Sequence, residues 1–243
     1  MRLLKKLARR TFASLGYDVV PRGAGSRIVL RDALENLFRR ESVSLVFDVG
    51  ANIGQFRDYL RTDLSYDGRI ISFEPSPAEY EICAARADDD PLWEVHPWAL
   101  GAETATLGLN ILEASDLSSF RRPAQGETPF NNAAVLDVVE VPVRRLDDVI
   151  EELGIDLRQE RALVKADTQG FDLEVFRGGP KAMSQAVGLL SEVAQLQIYE
   201  QVPDFLEAIA ELRAYGFMVA ALAPVTFHRD VVLEYDCLMI RAE

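Results

Sequence analysis

Two acidic residues stand where predicted strands run out. In "VFDVGANIGQF" (46–56), Asp48 precedes Gly50 and Gly54. In "ISFEPSP" (71–77), Glu74 follows Gly54 by 20 residues. A loop that only turns needs one glycine. Two glycines at this spacing let the backbone approach a ligand and let the next helix pack close to its strand. The pattern is D-x-G-x-x-x-G, and an Asp at the strand end repels a phosphate while suiting a cationic ligand. Glu74, at the end of the next strand, is placed to accept both hydroxyls of a ribose. A cation that carries a ribose points to S-adenosylmethionine. Its expected contacts are Asp48, Gly50, Asn52, Gly54, Glu74, Pro75 and Ala99.

Methyl transfer to an alcohol is an in-line displacement, and the alcohol must lose its proton as the bond forms. "LVKADTQGFD" (163–172) offers Lys165 and Asp167, which share one face of a strand and hold each other ionised. Asp167 is the base, a residue that binds the substrate hydroxyl, or an ion-pair partner capping the helix that starts at Phe171. Glu192, ending the strand "LLSEVA" (189–194), is the alternative base or a surface acid. Gln169 and Gly170 form the turn, and Gln169 is also able to face the substrate. Asp116, Ser118 and Ser119 are expected to be solvated, in the long polar stretch "EASDLSSFRRPAQGETPFNNAA" (113–134). A loop of that length is a candidate lid over the substrate. Asp147 and Asp148 are expected to open a surface helix, and Asp236 to sit in a turn before the last strand.

The elements around these residues alternate. Helices are expected over 31–40, 54–64, 77–87, 171–179 and 203–216. Apolar strands are expected over 44–49, 68–75, 92–100, 162–170 and 186–194, with strand-like runs at 105–112 and 136–146. Two further strands close the chain with no helix between them, so they pair antiparallel. This order predicts an α/β fold with a mostly parallel sheet, an antiparallel last strand and helices on both faces. Residues 1–40 read as a basic N-terminal arm plus a lead-in helix, "PRGAGS" (21–26) as a linker or turn within it, and 41–243 as the cofactor-binding domain.

"FDVGANIGQF", "FEPSP", "VPVRRLDDVI", "VKADTQGFDLEVFRGG" and "EYDCLMIR" together resemble the FkbM family of S-adenosylmethionine-dependent methyltransferases. The resemblance covers roughly residues 43 to 241. It implies a seven-stranded class I methyltransferase fold, Rossmann-like, and O-methylation. It also implies sugar hydroxyls of glycolipids, polysaccharides or natural products as acceptors. Lys165 and Asp167 fall in the family's K-x-D-x-x-G signature, beside the site of methyl transfer.

Composition narrows the alternatives. The net charge of −13 argues against nucleic acid. Residues 1–31 nevertheless carry eight Lys/Arg against one acid. "MRLLKKLARRTFASLG" reads as a basic amphipathic helix, suited to packing on its own domain, to a dimer contact or to an anionic membrane surface. No transmembrane run appears, and Cys83 and Cys237 are too few for a disulfide framework. A cytoplasmic protein is therefore expected, with residues 1–16 a candidate peripheral contact at the inner membrane surface. His96 and His228 lack ligand-spaced partners, so no metal is expected, although an all-carboxylate magnesium site stays open. An NAD-dependent oxidoreductase would need a glycine where Asn52 stands. A non-catalytic module that binds S-adenosylmethionine is the rival from another class.

Overall fold

The computed structural model describes residues 25–113, 117–126 and 133–242. The amphipathic helix expected over 1–16 and the loop residue Asp116 lie outside them. The chain runs α1 (Gly25–Glu41), β1 (Leu45–Val49), α2 (Gln55–Thr62), β2 (Arg69–Phe73), α3 (Pro77–Ala87) and β3 (Trp93–His96). It continues with β4 (Ala99–Leu100), β5 (Ala105–Leu112), β6 (Val135–Arg144), α4 (Leu146–Glu152) and β7 (Ala162–Ala166). It closes with α5 (Asp172–Arg177), α6 (Pro180–Gln185), β8 (Gly188–Ala194), α7 (Phe205–Ala214), β9 (Phe217–His228) and β10 (Val231–Arg241).

Seven strands form the main sheet in the order β3-β2-β1-β7-β8-β10-β9. The first five pair in parallel, and β10 runs antiparallel to both β8 and β9. The expected mostly parallel sheet with an antiparallel final strand is therefore present. The apolar runs form these strands because both sheet faces are covered. On one face Phe47, Val49 and Val164 pack with Val149, Phe176, Met183 and Leu212 of α4 to α7. On the other, Val46, Ile70 and Leu163 pack with Leu34, Leu37, Leu60 and Cys83 of α1 to α3.

Three elements differ from expectation. The strand expected over 92–100 breaks around Pro97, which lacks the N–H a ladder needs. β3 stays in the main sheet, whereas β4 joins β6 and β5 in a second, three-stranded sheet. The helix expected over 31–40 begins earlier, at Gly25, so Gly25 and Ser26 are helical rather than part of a turn. Asp147 is buried rather than on the surface. Its carboxylate accepts from the N–H groups of Lys181 and Ala182, both at 3.0 Å, which caps α6 and fixes it against α4.

Candidate active site

The carboxyl ends of β1, β2 and β7 open, with parts of β8, β9 and β10, onto a cavity of about 750 Å³. Gly50, Asn52, Glu74, Pro75 and Ala99 line it, as do Lys165, Asp167 and Glu192. Asp48 and Gly54 do not line it.

The two glycines are required for different reasons. Gly50 has φ 78°, and a Cβ there would lie 2.0 Å from the backbone oxygen of Asp167. The end of β7 therefore lies directly against the first loop. Gly54 has φ 87°, and its Cβ would meet the Trp93 ring at 2.8 Å. It lets α2 pack closely on the sheet.

Asp48 also departs from its expected role. Its carboxylate is fully buried and lies 2.9 Å from Lys165 Nζ. Ser72 Oγ donates to it at 3.0 Å, and Trp93 Nε1 donates to Ser72 Oγ at 2.9 Å. Asp48 stands opposite both Ser72 and Lys165 in the ladder. The result is a buried polar chain across four adjacent strands, β3, β2, β1 and β7, in which Asp48 Oδ1 has the Lys165 ammonium as its ion-pair partner but accepts no well-aligned hydrogen bond. Burial alone would lower the pKa of Lys165, but the charges of Asp48 and Asp167 outweigh it and hold the ammonium above the ordinary lysine value. Lys165 Nζ also donates to Gly50 O at 2.9 Å, and Asp167 lies 3.7 Å away.

Glu74 ties the second strand to the first loop. Its carboxylate accepts from Asn52 N at 2.6 Å and from Ser76 N at 2.8 Å, one bond on each oxygen. Burial pushes its pKa up to about 7, and these two N–H groups oppose the shift.

Asp167 and Glu192 are joined by Gln169, expected in the turn and also able to face the substrate. Gln169 has φ 54° and sits at the end of β7. Its Nε2 donates to Asp167 Oδ1 at 3.1 Å and to Glu192 Oε2 at 3.2 Å. Tyr199 Oη lies 2.9 Å from Gln169 Oε1, which orients the amide. Ser119, expected in solvent, is 1% exposed and donates from Oγ to Gln169 O at 2.6 Å. Ser118 lines the cavity with Leu117 and Phe120, so part of the long loop does cover the site. Asp236 lies within β10 rather than in a turn, and both it and Glu234 face the cavity. Glu234 had no sequence signal beyond its place two residues before Asp236.

The methyltransferase FkbM domain model matches residues 48–219. The chain belongs to the FkbM methyltransferase family. It is 26% identical over 171 residues to methyltransferase sdnD of Sordaria araneosa, covering 62% of this chain and 66% of that protein. A solved FkbM methyltransferase from Methylobacillus flagellatus KT superposes with a TM-score of 0.52 at 18% identity, over 85% of this chain and 47% of that one. The chain thus spans about half the length of that structure and just under two thirds of the curated relative.

The FkbM family's methyl donor is S-adenosylmethionine, and the residues present fit it. Each Glu74 oxygen spends one lone pair on a backbone N–H and keeps another for a ribose hydroxyl. The cavity volume lies within the range of small-molecule sites. His96 is stacked between Phe73 and Trp98, with centroids 5.6 and 4.6 Å away, as a packed residue. Among the described residues no group of His, Cys, Asp or Glu has the arrangement of a metal site.

One buried acid behind the site makes a stability prediction. Burial, then the charge of Asp167, pushes Asp172 up to about 8. The folded chain therefore holds a proton that the unfolded chain releases above the ordinary carboxylate value. Stability from this group is complete at low pH and is lost as pH rises toward about 8. Asp172→Asn should raise Tm relative to the parent increasingly over that interval, at about 2–4 °C per kcal/mol for a chain of this size. Parallel Tm curves against pH would contradict it.

Proposed function

We propose that the chain transfers a methyl group to a hydroxyl oxygen of a sugar-bearing acceptor, a glycolipid, polysaccharide or natural product. The carboxylate pair Asp167 and Glu192 takes the proton. The observation that carries this reading is the Gln169 amide, which holds both carboxylates together at the wall of the cavity that Glu74 also lines. When bound, S-adenosylmethionine supplies a methyl carbon made electrophilic by its sulfonium. Glu74 accepts the ribose hydroxyls, and Gly50, Asn52, Pro75 and Ala99 form the wall beside it. Lys165 keeps its proton and serves to position Asp167 and the Gly50 carbonyl. Asp167, with a side chain 46% exposed, is open to an entering hydroxyl. Leu117, Ser118 and Phe120 limit the access of water. A module that only bound the donor would have no use for two carboxylates aligned by a third side chain.

Calorimetric titration with S-adenosylmethionine, S-adenosylhomocysteine and NAD tests the cofactor. The first two should bind, and Glu74→Ala should weaken them about tenfold or more, the scale of hydrogen bonds to a charged group. Binding of NAD alone would overturn the reading. Transfer of labelled methyl to hydroxyl acceptors then tests the reaction.

A further inference from the structure

We propose that the acceptor carries a protonated amine, which docks against Glu234 and Asp236 on β10. This inference rests on the methyl-transfer reading and narrows its substrate to a hydroxyl compound bearing an amine, on the scale of an amino sugar.

Among the described residues, five carboxylates face the cavity, from Glu74, Asp167, Glu192, Glu234 and Asp236, against the single cation Lys165. Lys165 is committed to Asp48 and to Gly50 O, both at 2.9 Å. Glu74 is held by two backbone N–H groups, and Asp167 and Glu192 share Gln169. Glu234 has no such partner. It is 8% exposed and lines the cavity, yet its side chain makes no hydrogen bond or ion pair among the described residues. Asp236 lines the same cavity and is likewise unpaired among them. Burying a carboxylate without a donor is costly, so a ligand cation is the natural complement of this pair. In the free protein the cost appears as retained protons. Burial, then Asp167 and Asp236, pushes Glu234 up to about 7, and burial, then Asp167, pushes Asp236 up to about 6.

The donor's ribose is held elsewhere, at Glu74. The donor side of the cavity is the first loop with Glu74, and Asp167 lies directly against that loop. β10 is three strands from β1 in the sheet, roughly 14 Å away. Asp236 stands opposite Glu192 in the β8–β10 ladder. An amine on the β10 pair therefore sits roughly 5 Å, one strand spacing, from a carboxylate of the proposed base. That separation is of the order of the distance between substituents on one sugar ring. Val225 and Thr226 of β9 wall this end of the cavity.

The test is calorimetric titration of the full chain, saturated with S-adenosylhomocysteine, with glucosamine, N-acetylglucosamine, glucose and Mg²⁺. Glucosamine should bind about tenfold or more tightly than the other two sugars. Glu234→Gln and Asp236→Asn should each erase most of that preference and leave S-adenosylhomocysteine affinity unchanged. Glucosamine binding no tighter than glucose, or no binding by either, would overturn the proposal. So would Mg²⁺ that competes with glucosamine and binds more tightly. Failure of S-adenosylhomocysteine to bind the parent would instead remove the methyl-transfer reading, and this inference with it.

Discussion

Lys165→Met is expected to destabilise the fold by about 3–5 kcal/mol, because it leaves one partner of a buried ion pair uncompensated. Asp48 is fully buried, and Lys165 is its only cationic partner among the described residues. Without the ammonium, Ser72 Oγ is its remaining side-chain donor among the described residues, at 3.0 Å. A domain is stable by only about 5–15 kcal/mol, so the loss is a large share of the total. The expected reading is a Tm lower by about 10 °C or more. Asp48→Asn in the same chain should recover part of this, since a neutral amide removes the stranded charge. Arg at 165 should not substitute, because a planar guanidinium cannot reproduce the compact ammonium's bonds to Asp48 and Gly50 O. If the single and double variants melt together, the pair is not what couples β1 to β7. Thermal unfolding followed by circular dichroism distinguishes the two results.

The strand ends were legible in the sequence, and the partners of their side chains were not. β1 and β2 are short apolar runs stopped at Gly50 and just past Glu74, so Gly50, Asn52, Glu74 and Pro75 could be placed at a ligand site. Asp48 shares the same strand end, and its type suited a cationic ligand equally well. What decides its role is the register of β1 against β7, where it stands opposite Lys165. That pairing joins residues far apart in the chain and has no local signature. Gln169 was hidden for a related reason. A residue between Thr168 and Gly170 reads as a turn, and its positive φ agrees with that. Its amide becomes informative only once β8 brings Glu192 beside it. Asp236 looked like a turn because "EYD" interrupts an apolar run. Antiparallel insertion of β10 between β8 and β9 makes those polar positions the cavity-facing residues of a central strand. Ser119 looked solvated because its loop is polar, but its hydroxyl is used on the Gln169 carbonyl.

With Asp167 as the base, Asp167→Asn should lower kcat by about 10²–10⁴-fold, the usual contribution of a positioned general base, while S-adenosylmethionine affinity changes little. Glu192→Gln separates the two candidate bases. Burial, then the charges of Asp167 and Glu234, raises Glu192 well above the ordinary carboxylate value. If Glu192 is the base, it must be ionised to work. Activity is then lost as pH falls through that raised pKa, and the acid limb of kcat/KM lies above the ordinary carboxylate range. Asp167→Asn removes a neighbouring negative charge, so in that case the limb moves to lower pH and much of the activity survives. If Asp167 is the base, Asp167→Asn abolishes turnover at every pH, whereas Glu192→Gln keeps most of it. Gln169→Leu should lower kcat in either case, because it frees both carboxylates from the amide that aligns them. Rates within tenfold of the parent for both Asp167→Asn and Glu192→Gln would remove the pair from the mechanism. Methylation of an acceptor that needs no strong base, such as a nitrogen or a carboxylate, would then become the better account.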